Sequence, residues 1–210
     1  MRFRSTLIPA ALLSAALVLT GCGGDSQSPG TSGHDMGSMN ENTPTPSITA
    51  TPAAGEHNAA DVTFATNMIG HHAQAIEMAD MAAEQASKSE IRELASRIKA
   101  AQAPEINQMS GWLTGWGEPV PDTSTSGGGM TMGEDGMMTE EEMTALHEAT
   151  GEDFDRMWLE MMIRHHQGAV AMATTEQKSG SNADAKDVAQ KIITSQQAEI
   201  EEMQQLRAGG

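Results

Sequence analysis

One part of this chain occurs twice. Shifted by 94 residues, positions 61–109 lie over 155–203 without a gap, and 15 of the 49 aligned pairs are identical. Asp61, Met68, Ile69, His71, His72, Ala75, Met78 and Ala79 meet the same residues at 155, 162, 163, 165, 166, 169, 172 and 173. Further on, Ser87, Ala95, Ile98, Gln102, Glu105, Ile106 and Met109 meet Ser181, Ala189, Ile192, Gln196, Glu199, Ile200 and Met203. The identities are concentrated on apolar, His, Gln and Glu positions. A duplicated unit has one face to bury twice, and pairing the copies about an approximate two-fold axis buries both.

Each unit reads as two helices. Phe64, Met68, His71/His72, Ala75, Met78/Ala79 and Ala82 recur at steps of three and four, an amphipathic helical stripe. Ile91, Leu94/Ala95, Ile98, Gln102, Glu105, Met109 and Leu113 form a second stripe, matched by Val188, Ile192, Gln196, Glu199 and Met203. Ser87-x-x-Glu90 and Ser181-x-x-Asp184 have the form of N-terminal caps for these second helices. Asp61 and Asp155 read as helix starters. Pro104 is expected to kink its helix without ending it, since Ala198 takes its place in the second copy. Thr139-x-x-Glu142 caps a short helix leading to Gly151. Little alternates with period two, so the expected fold is all-α, a four-helix bundle of two duplicated hairpins.

Arg2 and Arg4 precede an apolar run from Leu7 to Leu19 that is too short to span a bilayer, as in a secretory signal. The run ends in Leu19-Thr20-Gly21-Cys22, which resembles a lipobox. Cys22, the only cysteine, is therefore the expected lipidation site and membrane anchor, at the outer face of the cytoplasmic membrane or in the cell envelope. The expected organisation is a signal peptide over 1–21, a disordered tether over 22–57, and a bundle over 58–208 with a flexible Met- and Gly-rich insert at 117–138. Without Arg2 and Arg4, ten Lys and Arg face 29 Asp and Glu. That balance excludes a nucleic-acid partner, whose phosphates call for a basic face.

Counting outward from Ser87, the hairpin register sets His72 beside Gln102, Met68 near Glu105 and Ile106, and Phe64 near Met109. The candidate metal layer is therefore Met68, His71, His72 and Glu105, repeated as Met162, His165, His166 and Glu199. Adjacent histidines point about 100° apart on a helix, so one of each pair faces inward and the other a neighbouring helix. Glu105 and Glu199 lie on apolar stripes and need a partner, either a histidine N–H or a metal. Thioether and imidazole together are a soft to borderline set that favours copper over Mg or Ca. Of the 17 methionines, several lie in Gly-rich segments where burial gains nothing. His34, Met36, Met39, Met130, Met132, Met137 and Met138 are thus candidates for auxiliary metal capture. Two alternatives stay open: a structural or partner-binding bundle held by a His–Glu network, and a haem or di-metal redox protein.

No phosphate loop, nucleophile elbow, HExxH or CxxCH occurs, and no Asp or Glu has His three residues later, so no catalytic residue and no enzyme activity are expected. "FATNMIGHHAQAIEMA" and "FDRMWLEMMIRHHQGAVAMA", with "GMMTEEEMTALHEATGEDFD" between them, resemble the repeated signature of the bacterial domain of unknown function 305. The resemblance spans about 58–207. It implies a ferritin-like four-helix bundle, exported or anchored outside the cytoplasm, and copper binding through Met and His as in some members. By position, this carries to Met68, His71, His72, Met162, His165 and His166. A metal ion is then the main partner, beside a copper-handling protein or a second copy of the chain.

Overall fold

The computed structural model describes residues 55–123 and 135–209. The signal sequence, Cys22, His34, Met36, Met39, Met130 and Met132 lie outside them. The order is α1 (Ala59–Gln85), α2 (Ser89–Trp116), α3 (Glu140–Glu148), α4 (Gly151–Ser179) and α5 (Ala183–Ala208). Helix α1 starts on a capping box: the Asn58 side chain accepts from the N–H of Ala60 and Asp61, and Asp61 accepts from the Asn58 N–H at 2.6 Å. Helix α2 runs on through Pro104 and stops at Gly117, whose φ of 80° lets Glu118 N–H reach back to the Leu113 carbonyl at 2.8 Å. Thr139 and Glu142 form the capping box of α3.

Helices α1 and α2 form one antiparallel hairpin and α4 and α5 the other; α1 packs on α4, and α2 more lightly on α5. The result is a four-helix bundle of two matching hairpins, with α3 as a lead-in against α4. Two apolar clusters fill it. One includes Ala75, Met78, Ile91, Leu94, Ile98, Phe154, Trp158, Leu159 and Met162. The other includes Phe64, Met68, Ile69, Met109, Leu113, Ala169, Val188 and Ile192. The four histidines fall in sequence where one cluster gives way to the other on α1 and α4, and all four are fully buried.

The two serines do not cap their helices. Lys88 is the N-cap of α2 and makes no side-chain bond, while Asn182 caps α5 by accepting from the Ala185 N–H. Ser87 and Ser181 sit one residue earlier and turn to the opposite hairpin. Asp155 accepts from Ser87 N–H at 2.9 Å, Ser87 Oγ–H and Lys88 N–H at 3.1 Å. Asp61 accepts from Ser181 N–H and Oγ–H, each at 3.1 Å, and from Asn182 N–H at 2.9 Å. The carboxylate near the start of each hairpin thus clasps the turn of the other. Hydrogen bonds to a charged acceptor contribute roughly 1.5–3 kcal/mol each.

The end of the insert is also corrected. Met137 and Met138 are buried, at 2 % and 0 % exposure, rather than displayed in solvent. Gln74 holds Met138 through both backbone groups, donating to its carbonyl at 2.9 Å and accepting from its N–H at 2.8 Å. Asp135 and Gly136 both have positive φ, 56° and 79°, and this turn lies against α4 at Gly168, where a Cβ would overlap the Asp135 carbonyl. Gln74 and Gly168 are equivalent positions of the two repeats. The segment therefore lies across the pseudo-two-fold axis, gripped by a side chain on one helix and admitted by the absence of one on the other.

Candidate metal centre

The histidine pairs sit near the middle of α1 and α4, where a helix is surrounded on most sides and its side chains leave water. His71 and His165 meet across the α1–α4 contact with ring centroids 3.7 Å apart and planes tilted by 37°. His72 and His166 face the second helix of their own hairpin. His72 Nε2 lies 2.7 Å from Glu105 Oε2 and His166 Nε2 lies 2.8 Å from Glu199 Oε2. One histidine of each pair thus points to the bundle axis and the other to a neighbouring helix, as their 100° separation requires.

The register differs by about one turn from a count of residues alone, since His72 meets Glu105 and not Gln102. The Cα–Cβ bonds of each helix lean toward its own N-terminus. In an antiparallel hairpin the His72 ring leans away from the turn and the Glu105 carboxylate leans back toward it. The two meet between their backbone levels.

Carboxylate and carbonyl oxygens only accept here, so the nitrogens they meet carry the hydrogens. His72 and His166 donate Nε2–H to Glu105 and Glu199, and His71 donates Nε2–H to the Asp135 carbonyl at 3.0 Å. Asp135 is a site residue that no helical periodicity could reveal. Among the described residues, Nδ1 of His71, His72 and His166 has no partner, and His165 has none on either nitrogen. The amide of Gln102 and the Gln196 Oε1 are buried in the same condition. Burial, then the neighbouring His72, lowers the His71 pKa to about 3, although the Asp135 carbonyl opposes the shift. Burial, then His71, His166 and His72, holds His165 well below its usual 6.5. These two rings are neutral at pH 7 and present lone pairs.

Met68 and Met162 are fully buried three and four residues before the histidines, on the same helical face. Among the described residues, no three His, Cys, Asp or Glu side chains stand ready as a closed ligand set. Any ligand set here would have to draw on side chains other than these, and Met68 and Met162 are the soft donors nearest the histidines along the two helices. The donor set fits a soft ion: several buried ring nitrogens lack a partner, methionines flank them, and each unpaired buried group costs roughly 1–3 kcal/mol. Glu105 and Glu199, with side chains 22 % and 18 % exposed, lie nearer solvent than the rings they hold.

Duplicated helical hairpins that bury a four-histidine layer with flanking methionines define the class. The chain belongs to the family described as domain of unknown function (DUF305), whose model matches residues 61–207. It is similar to a DUF305 protein of Streptomyces coelicolor assigned as secreted, with 33 % identity over 71 % of this chain and 91 % of that one and a TM-score of 0.64. A DUF305 fragment from Deinococcus radiodurans gives 29 % identity, 73 % and 98 % coverage and a TM-score of 0.66. CopM in its Cu(II)-bound form gives 35 % identity, 71 % and 96 % coverage and a TM-score of 0.62; its Cu(I)-bound form gives 33 % and 0.59 at the same coverage. No curated protein matches the sequence.

Proposed function

We propose that this protein is an exported copper-binding protein that buffers or passes the ion, with the His and Met side chains of the mid-bundle layer as its site. The observation that carries this is the run of buried, unpartnered ring nitrogens on His71, His72, His165 and His166 beside Met68 and Met162. A fold gains nothing from burying such atoms dry. An ion that accepts their lone pairs offsets the loss, and binding free energy then adds to folding free energy. The similarity to CopM, solved with Cu(I) and with Cu(II), supports copper among the soft ions. Copper when bound supplies a soft Lewis acid; the chain's own residues supply orientation and exclusion of water.

The secreted assignment of the Streptomyces coelicolor relative supports export. Leu19-Thr20-Gly21-Cys22 supports an anchor acylated at Cys22, with the bundle acting outside the cytoplasm. The protein acts as a carrier, without a reaction of its own. Contact between the His71 and His165 rings leaves no room between them for a porphyrin, which disfavours a haem held by that pair.

The test is anaerobic Cu(I) titration of the full chain against a competing chelator. The parent is compared with a His71/His72/His165/His166→Ala variant whose helicity is checked by circular dichroism. A folded variant is expected to bind at least tenfold more weakly. Equal binding would move the site to the methionine-rich segments. No binding by either protein would leave the His–Glu pairs as structure alone.

A further inference from the structure

The two nitrogens of each histidine have different surroundings, and the difference is repeated. His72 and His166 spend Nε2–H on Glu105 and Glu199, at 2.7 and 2.8 Å, and keep Nδ1 buried without a partner. His71 does the same with a backbone carbonyl in place of a carboxylate. A nitrogen bonded this closely to an acceptor cannot also bind an ion unless it gives that bond up. We propose that Glu105, Glu199 and the Asp135 carbonyl are positioning groups that fix the Nε2–H form of His72, His166 and His71, so that a soft ion in the layer is bound through Nδ1. The proposal rests on the copper reading above and assigns its donor atoms.

Three physical arguments support the assignment. A ligating histidine commonly donates its other N–H to a carboxylate or carbonyl, which sets the ring's orientation and raises its basicity. Glu105 and Glu199 already occupy that place, on the solvent side of the rings and 33 residues along the chain from each histidine in both repeats. Two carboxylates on one small soft ion would also bring negative charge into a layer whose other donors are neutral sulfur and nitrogen, the poorer match for Cu(I).

Within the histidine layer the hairpins differ in the partner of the axial ring, and the difference follows from the crossing segment. Asp135 reaches His71, and among the described residues nothing equivalent reaches His165, whose Nδ1 and Nε2 are both without a partner there. No acceptor among the described residues fixes the tautomer of His165, so either of its nitrogens could serve an ion.

Long-range proton–nitrogen spectra of the full chain, labelled with ¹⁵N-histidine, test this before any metal is added. His71, His72 and His166 are expected to show protonated Nε2 and unprotonated Nδ1. Glu105→Ala is expected to mix the two tautomers of His72, while Glu105→Gln, whose amide oxygen still accepts, preserves the parent pattern. Unprotonated Nε2 in the parent, or a His72 tautomer indifferent to Glu105→Ala, overturns the proposal whatever copper does. Ag(I), which is redox-silent and soft, is then titrated. Nδ1 is expected to shift while Nε2 stays protonated, and Glu105→Ala is expected to weaken Ag(I) binding by about 10–100-fold with rescue in Glu105→Gln. A shift at Nε2 overturns the donor assignment alone. If every ring nitrogen stays unmoved, the copper site falls and the donor assignment falls with it.

Discussion

Glu176 gives the sharpest stability prediction, because the two repeats already contain its control. It stands where the first repeat has Ala82, beside the Asp61 clasp. The residue is 1 % exposed and, among the described residues, no donor serves either carboxyl oxygen. A Cβ at position 180 would meet both Glu176 Oε1 and Asp61 Oδ1, so the two carboxyl groups share the space beside Gly180. Burial, then contact with Asp61, raises the Glu176 pKa from 4.5 to about 8, against the opposing charge of Lys186. Burial would raise Asp61 as well, but the N–H groups of Asn182, Asn58 and Ser181 and the proton held by Glu176 bring it down to about 2. Near neutrality the pair holds one proton, on Glu176.

The sign follows from linkage. Glu176 is protonated more readily in the fold than in the unfolded chain, so its contribution is complete below pH 4.5 and is lost as pH rises toward 8. Asp61 acts oppositely, losing its contribution as pH falls from 3.8 through 2. At about 1.36 kcal/mol per pH unit, Glu176 withdraws up to roughly 3 kcal/mol between pH 4.5 and 7. Water reaching the loosened clasp reduces this, so about 1–3 kcal/mol is expected. Urea unfolding followed by tryptophan fluorescence at pH 5 and pH 8 measures it. His71 and His165, kept neutral by burial, raise the stability of every variant alike as pH rises through 6.5, so the quantity to read is the difference from the parent. Glu176→Ala should be the less stable protein at pH 5 and equal to or above the parent at pH 8. Glu176→Gln, which can donate to Asp61 at any pH, should hold a constant advantage over Glu176→Ala across the interval. A difference between parent and Glu176→Ala that stays constant from pH 5 to 8 refutes the argument.

Other outcomes follow from the same geometry. Asp155→Ala leaves the Ser87 and Lys88 N–H groups without their acceptor and should cost about 2–4 kcal/mol in urea unfolding. Asp61→Ala should cost a similar amount at the other end of the bundle, and the two should add to within about 0.5 kcal/mol. Gly168→Ala would gain about 1 kcal/mol from helix propensity alone, but its Cβ collides with the Asp135 carbonyl. A net loss of about 1–3 kcal/mol is expected, with faster hydrogen exchange at the Met138 amide; a more stable protein with that amide still protected would contradict the crossing described above. If the layer binds copper, Cu(I) should raise the unfolding midpoint of the parent and leave the His71/His72/His165/His166→Ala variant unmoved, which thermal melts with and without the ion would show.

Much of this protein was legible before any coordinates. The shift of 94 residues and the three-and-four spacing of apolar positions set two helical hairpins, because each copy has the same stripe to bury. The 100° step between adjacent histidines set one ring inward and one sideways. Helix α3 was readable from Thr139 and Glu142, because a capping box is a local device. The serine caps failed for the opposite reason. Nothing near Ser87 shows that Asp155, 68 residues on, will take its N–H and hydroxyl. Met137 and Met138 looked exposed because their neighbours are glycines, yet Gln74 and Gly168 on two other helices make the place that buries them.

By itself the sequence determined the helices, the duplication and the chemistry of the buried layer, since periodicity and side-chain type are local properties. Only the tertiary structure decided which ring nitrogen each histidine keeps free, which carboxyl holds a proton, and where the pseudo-symmetry breaks. Those outcomes depend on what stands within about 3 Å of a given atom. A chain of this length brings distant residues together there in ways that spacing along it does not encode.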